Sequence, residues 1–346
     1  MTVTAPGQAP RTDVPAAGAT RLVDRVFRMR ELAILLVFLV MIAVTQAGNS
    51  EFLSEQGIKD LLLNATILVL VATGQSLVVI TRNVDLSVGS TLGISAFAAG
   101  THLQGGGGST VAVLLAVLMG VGFGLLNGLL VSLGQVPALV VTLGTLYIIR
   151  GIDSIWVGSR QITAADLPAG FVDFGSGGIS AVPWLALIAL AVLVATAYYL
   201  KHFGSGRELY ALGSNPEAAR LAGIPVRERI LTAYTFCGAL AGLAGALYLA
   251  RFGNVDSGTG NGYELTVVSA VVVGGVVFTG GSGSVYGAAL GALLLTSVNS
   301  VLPALGVSSV WVLAINGILL ILAIAVDRIV ALRVADALKK RNTRNG

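Results

Sequence analysis

Ser214-Asn-Pro-Glu-Ala-Ala-Arg-Leu-Ala-Gly-Ile224 is a polar island between two long apolar runs. The runs beside it, 183–200 and 230–250, are each long enough to cross a hydrocarbon core of about 30 Å as a helix rising about 1.5 Å per residue. The island itself reads as about two turns of helix. Ser214 and Glu217 have the Ser-x-x-Glu spacing of a capping box. Pro216 falls in the first turn, where its missing N–H costs nothing. Gly223 suits a left-handed position just past the last turn, and Pro225 blocks continuation. So short a helix is unstable alone and must be held by its neighbours. One side offers Ala218, Ala219 and Ala222 for close contact, while Glu217 and Arg220 remain available for ion pairs with a partner.

Outward from the island the chain keeps the same character. Of 346 residues, 55% are hydrophobic, 11% are charged and 45 are glycine, a balance that excludes an ordinary water-soluble globule. Apolar runs predict an all-α polytopic membrane protein of about ten spans, some interrupted: 32–48, 61–81, 84–101, 110–133, 138–157, 183–200, 230–250, 265–280, 284–303 and 309–327. The pairs 61–101 and 265–303 carry polar or Gly-rich breaks. Arginine and lysine fix the orientation, since they are enriched in loops that stay in the cytoplasm. With the N-terminus inside, 17 of the 21 basic residues are cytoplasmic, leaving Lys59, Arg150, Arg160 and Arg251 outside. Both termini are then cytoplasmic. The expected organisation is a disordered tail 1–31, a transmembrane domain 32–328 with a cytoplasmic loop at 201–229, and a basic tail 329–346.

The net charge of +4 comes from residues that flank spans instead of forming one basic face, so nucleic acid is not an expected partner and membrane lipid is. The single cysteine, Cys237, lies within the seventh span and reads as packing material. Small residues at four-residue spacing, Gly120/Gly124/Gly128, Gly238/Gly242/Ala246 and Gly287/Gly291, read as seams where helices approach closely. Thr81, Gly89, Leu92 and Gly93 match Thr279, Gly287, Leu290 and Gly291 at one offset of 198, the pattern a duplicated half leaves.

No phosphate-cradling Gly-x-x-x-x-Gly-Lys-Ser/Thr loop and no metal-binding His/Cys spacing occur, so neither cofactor nor catalysis is expected of this chain. An ion-coupled carrier keeps charges within its spans. Here the one charge pair well inside apolar sequence is Arg82 and Asp85 in Thr81-Arg-Asn-Val-Asp-Leu-Ser-Val-Gly89, which flank a helix break and are read as capping it and neutralising each other.

Gly206-Arg-Glu-Leu-Tyr-Ala-Leu-Gly-Ser-Asn-Pro-Glu-Ala-Ala-Arg-Leu-Ala-Gly-Ile224, followed by Phe236-Cys-Gly-Ala-Leu-Ala-Gly-Leu-Ala-Gly245, resembles the permease subunit of ribose/xylose-type ABC importers. Thr81–Ser90, Gly128-Leu-Leu-Val, Pro137–Thr145, Arg150-Gly151, Gly274-Gly275 and Gly280-Gly-Ser-Gly-Ser284 are similar to the same family in the same order, over roughly 32–328. The resemblance implies a dimeric core, homo- or heterodimeric, in the bacterial plasma membrane. It further implies a cytosolic ATPase subunit that binds the ATP and an extracytoplasmic sugar-binding protein. Asn215, Glu217, Ala218, Ala219, Arg220 and Gly223 then form the loop that engages the ATPase. A neutral monosaccharide needs hydrogen-bond partners along its path without fixed charge, and Asn83, Asp85, Ser87, Asn127, Thr142, Glu264, Ser269, Asn299 and Asn316 are the candidates. Pentoses, rhamnose and furanose-type quorum-sensing signals all fit. A branched-chain amino-acid ABC permease and an ion-coupled secondary transporter are the alternatives.

Overall fold

The structure, a computed structural model, describes residues 17–304 and nine scattered positions between 308 and 325. Its helices are α1 (Ala17–Gly48), α2 (Glu55–Ile80), α3 (Val88–Gln104), α4 (Ser109–Ser132), α5 (Ala138–Val157), α6 (Ala169–Ser176), α7 (Trp184–His202), α8 (Gly204–Ser214), α9 (Pro216–Leu221), α10 (Val226–Phe252), α11 (Tyr263–Val273) and α12 (Val285–Ala304). A small antiparallel hairpin, Gly178–Ile179 with Val182–Pro183, precedes α7. Among the described residues, α2, α4, α5, α7, α10 and Val285–Leu302 of α12 are long and apolar enough to cross a membrane. The predicted spans from 32–48 to 284–303 each coincide with a helix. The tenth, 309–327, falls outside the continuously described chain, and Asn316 and the tail 329–346 lie outside the described residues. The stretch 17–31, expected as disordered, is helical as part of α1; residues 1–16 lie outside the described chain.

Both predicted interruptions are real. Helix α2 stops at Ile80 and α3 begins at Val88. Helix α11 ends sooner than its predicted span, because Gly275 adopts φ +96° while its N–H reaches Val272 O at 3.0 Å and the Val276 N–H reaches Val271 O at 3.1 Å. That pair of bonds closes a helix end through a left-handed residue, which glycine adopts without steric cost. The chain then stays irregular until Val285.

Helix α2 is the axis of the bundle. It is apolar along most of its length and buried on nearly every face, packed against α10, α12, α7 and α11. A helix apolar all round belongs in an interior of this kind. The closest crossing joins α4 to α10 through the expected small-residue seam. A Cβ on Gly238 would collide with the Gly120 carbonyl and lie 2.8 Å from Gly124 Cα, and one on Gly242 would collide with the Ala116 carbonyl. Gly291 brings α12 onto Ala270 of α11 and onto Gly274 just past its end in the same way. Cys237 is a buried free thiol within α10, with its Sγ 3.6 Å from the side-chain amide of Gln75 on α2, so it has a polar partner as well as packing neighbours.

Helix α10 spans about 40 Å at 1.5 Å per residue, and the polar elements sit at its two ends. At its C-terminal end α6 packs on it, Gly175 lying against Ala250, and Ile162 pairs with Val255 in an isolated bridge. At its N-terminal end are α8 and α9. These two short helices join α7 to α10, with α8 packed on α7, α10 and α2 and α9 packed on α8 and α10.

Candidate coupling site and helix breaks

Helix α9 is six residues long and capped at both ends. The cap differs from the sequence expectation by one residue. Helix α8 runs through Ser214, so the first extended residue is Asn215, and its Oδ1 accepts from the backbone N–H groups of Glu217 and Ala218, both at 3.1 Å. Asparagine serves this position as well as serine does. The C-terminal end follows expectation: Gly223 has φ +80°, its N–H donates to Arg220 O at 3.0 Å, and the Ile224 N–H donates to Ala219 O at 3.0 Å. Of the residues assigned to this loop, Asn215, Glu217, Ala218, Arg220 and Gly223 are exposed, whereas Ala219 is buried against the chain's own interior. Ala219 therefore anchors the turn and offers no contact face to a partner. Leu221, which the sequence reading passed over, is 90% exposed at the tip.

The end of α8 is seated directly on the two helix breaks. Gly213 lies against the Ile80 carbonyl at the end of α2 and the backbone N–H of Gly281 in the α11–α12 break, with no space for a Cβ. The Gly281 N–H donates to Ile80 O at 2.9 Å, and the Tyr210 hydroxyl donates to Gly283 O at 3.1 Å. Burial pushes that hydroxyl up to about 12, so it keeps its proton throughout the physiological range. Arg82 does not neutralise Asp85. Its backbone is left-handed at φ +67°, and its side chain turns outward, Nε donating to Thr279 O at 2.5 Å and Nη2 to Ser214 O at 3.3 Å. The stretches that match at an offset of 198 thus touch each other at their breaks.

Asp85 does cap its break, with other partners. Its Oδ1 accepts from the Ser87 N–H at 2.9 Å and the Ser87 hydroxyl at 2.7 Å at the start of α3. Asn127 of α4 donates to Ser87 Oγ at 2.8 Å and, more weakly, to Asp85 Oδ1 at 3.4 Å. The Val84 carbonyl accepts from Tyr234 of α10 at 3.1 Å and Thr142 of α5 at 3.3 Å. Gln75, with its amide oriented to satisfy both neighbours, donates to Asp85 O at 3.2 Å and accepts from Asp85 N at 3.1 Å. So Asp85, Ser87, Asn127 and Thr142 come together, all buried, in a knot that ties the α2–α3 break to α4, α5 and α10. Gln75 and Tyr234 complete it, and the sequence reading missed both.

The other path candidates stand apart. Asn83 is half-buried and bonded to Thr81 within its own turn. Glu264 is half-buried at the start of α11, its carboxylate against Gly89. Ser269 is buried and bonded back to Leu265 O at 2.7 Å, and Asn299 is exposed on α12.

Truncating Asn127 tests the knot. Asn127→Leu removes a donor to a buried hydroxyl and, more weakly, to a carboxylate, both of which keep each other as partners, a loss of about 0.5–1.5 kcal/mol. A lower midpoint of thermal unfolding in detergent is the expected result, and an unchanged midpoint contradicts the knot's structural weight.

The family described as "Branched-chain amino acid transport system / permease component" matches residues 57–324. The chain belongs to that family. Among its relatives, the "Autoinducer 2 import system permease protein LsrC" of Salmonella paratyphi B is 38% identical over 301 residues, covering 86% of each chain. The proteins of the same description from Enterobacter sp. (strain 638) and Escherichia coli O157:H7 are 37% identical over 298 residues and 36% identical over 301, again covering 86% of each chain. No solved structure matches. The chain is accordingly a permease, a multi-pass component of a bacterial inner-membrane transport system, and its part in transport is that of a membrane component and not of an enzyme.

Proposed function

We propose that this permease forms the translocation pathway of an ATP-driven, binding-protein-dependent importer for a small neutral sugar-like molecule of the autoinducer 2 type. In this reading α9 is the surface gripped by a cytosolic ATPase subunit, which binds the ATP. The core holds two permease chains, and a binding protein delivers the solute at the end that carries α6. The observation that carries the reading is α9 itself: a turn stabilised at both ends, projecting from the bundle with Leu221 exposed. Apolar side chains held out on a rigid polar-rimmed turn are what a protein partner buries.

The named relatives favour the sugar-like solute over a branched-chain amino acid, since they are autoinducer 2 import permeases and align with 86% of this chain. Membership of a transport-system permease family likewise favours an ATP-driven importer over a gradient-driven carrier. The assembled topology has ten spans with both termini in the cytoplasm. The path passes the two helix breaks near Asn83 and Glu264 and continues past Ser269, Asn299 and Asn316. Asp85, Ser87, Asn127 and Thr142 act on it from behind, by fixing the shape of the first break.

Sidedness is checked with Ala222→Cys, which places a thiol at the exposed residue just past the end of α9 in a chain whose native cysteine is buried. A membrane-impermeant maleimide is expected to label it only after the cells are permeabilised. Labelling on intact cells removes the ATPase-docking role. Uptake of autoinducer 2 by cells carrying the permease with its co-encoded partners, outcompeted by neither leucine nor isoleucine, is the expected substrate result.

A further inference from the structure

We propose that Arg82 is the residue that transmits movement of α9 to both broken helices. This rests on the reading of α9 as the ATPase-contacting turn. Arg82 belongs to the α2–α3 break by its backbone, to the α11–α12 break through Thr279 O, and to the end of α8 through Ser214 O. Ser214 is followed at once by Asn215, the cap of α9. One side chain therefore joins the foot of the exposed turn to the two places in the bundle where helices are interrupted.

Three features make this tie more than a surface contact. The first is chemical: a guanidinium is a planar fork that can hold two carbonyls at once, and a cation suits the carbonyl-rich C-terminal end of α8. The second is conformational. Arg82 holds a left-handed backbone that non-glycine residues rarely adopt, and this geometry turns the side chain away from buried Asp85 and toward α8. The third is packing. Gly213, Gly280 and Gly281 bring the three segments together backbone to backbone, Gly280 lying 3.0 Å by its missing Cβ from both Arg82 N and Gly213 O. A shift of α9 finds little slack there: a Cβ at Gly280 or Gly281 would meet Arg82 Cγ or Ser214 Oγ, with Arg82 N at 3.0 Å and Ser214 N at 2.6 Å close behind. Helix interruptions are the places where a bundle can rearrange, because their backbone is not committed to a continuous ladder.

The test uses the permease in proteoliposomes with its co-encoded ATPase, and Phe278→Cys as a reporter thiol in the α11–α12 break. Trapping the ATPase with ATP and vanadate is expected to change the rate of maleimide labelling at that thiol at least threefold. Adding Arg82→Gln is expected to abolish this change while the ATPase still co-purifies and hydrolyses ATP. Arg82→Lys keeps the charge but not the fork, and is expected to restore part of the change. A reporter that never responds to trapping overturns the proposal. So does an Arg82→Gln protein that responds fully, or one that no longer holds the ATPase, since Arg82 is then a structural tie only. Glu217→Lys separates the two readings: if the ATPase stays bound and the reporter still responds in that variant, the docking role of α9 fails whatever Arg82 does.

Discussion

Gly238→Leu is expected to reduce the permease in isolated membranes at least tenfold. A Cβ at Gly238 has nowhere to go, because the atoms it meets are the Gly120 carbonyl and the backbone of Gly124, which no rotamer change can move. Overpacking a core costs about 1–3 kcal/mol when side chains can yield, and the upper end or beyond applies where backbone meets backbone. Even about 1–2 kcal/mol changes cellular abundance several-fold. Helices α4 and α10 must separate to admit the leucine, and α10 carries Tyr234 of the knot and the attachment of α8 and α9. Gly122→Leu is the matched control. It lies on the exposed face of α4 with nothing within 4 Å of its missing Cβ, and wild-type levels are expected. Equal accumulation of both variants, measured by quantitative immunoblot, shows that the seam does not hold the bundle.

Gly223→Pro is expected to leave the protein in the membrane at wild-type level and to lower uptake at least tenfold. Proline can neither adopt φ +80° nor donate the N–H that closes on Arg220 O, so the C-terminal end of α9 opens and Leu221 loses its fixed direction. The turn is exposed and contributes little to the core, which is why abundance is spared. Glu217→Lys acts on the same surface by reversing a charge while keeping the fold of the turn, and is expected to prevent co-purification of the ATPase. Uptake within twofold of wild type in Gly223→Pro removes α9 from the coupling route. Loss of the protein itself from the membrane shows instead that the turn is part of the fold.

Several of these features are legible in the amino-acid order alone. That the runs 61–101 and 265–303 are interrupted is legible, because Thr-Arg-Asn and paired glycines break otherwise apolar sequence; the extent of the second break is not, since the span expected to reach 280 ends at Val273. Small residues at every fourth position mark a close-approach face on α4 and another on α10, but nothing local in the sequence says that these two faces meet each other. The C-terminal end of α9 was visible because Gly223 and Pro225 leave the backbone few choices. Its N-terminal cap was not, since Ser214 and Asn215 are both good caps and only the length of α8 decides between them. The knot was not legible either. Tyr234 is 150 positions from Val84, and a tyrosine in an apolar helix gives no local sign of what its hydroxyl will find. Arg82 and Asp85 illustrate the same limit at short range. Opposite charges three residues apart suggested a pair, and the left-handed turn at Arg82 sent them to opposite sides of the break.

The most apolar 18 residues of α2 have a mean hydropathy of 1.9 although almost none of that stretch faces lipid in the finished bundle. The ribosome releases it before α7, α10 and α12 exist to enclose it, so its early surroundings are acyl chains. Its Leu- and Val-rich surface suits that first environment as much as the last. Gln75 is the exception that has to wait least: its partner, the backbone of Asp85, arrives only ten residues later. The most enclosed segment of the permease thus owes part of its composition to the order in which its neighbours are born.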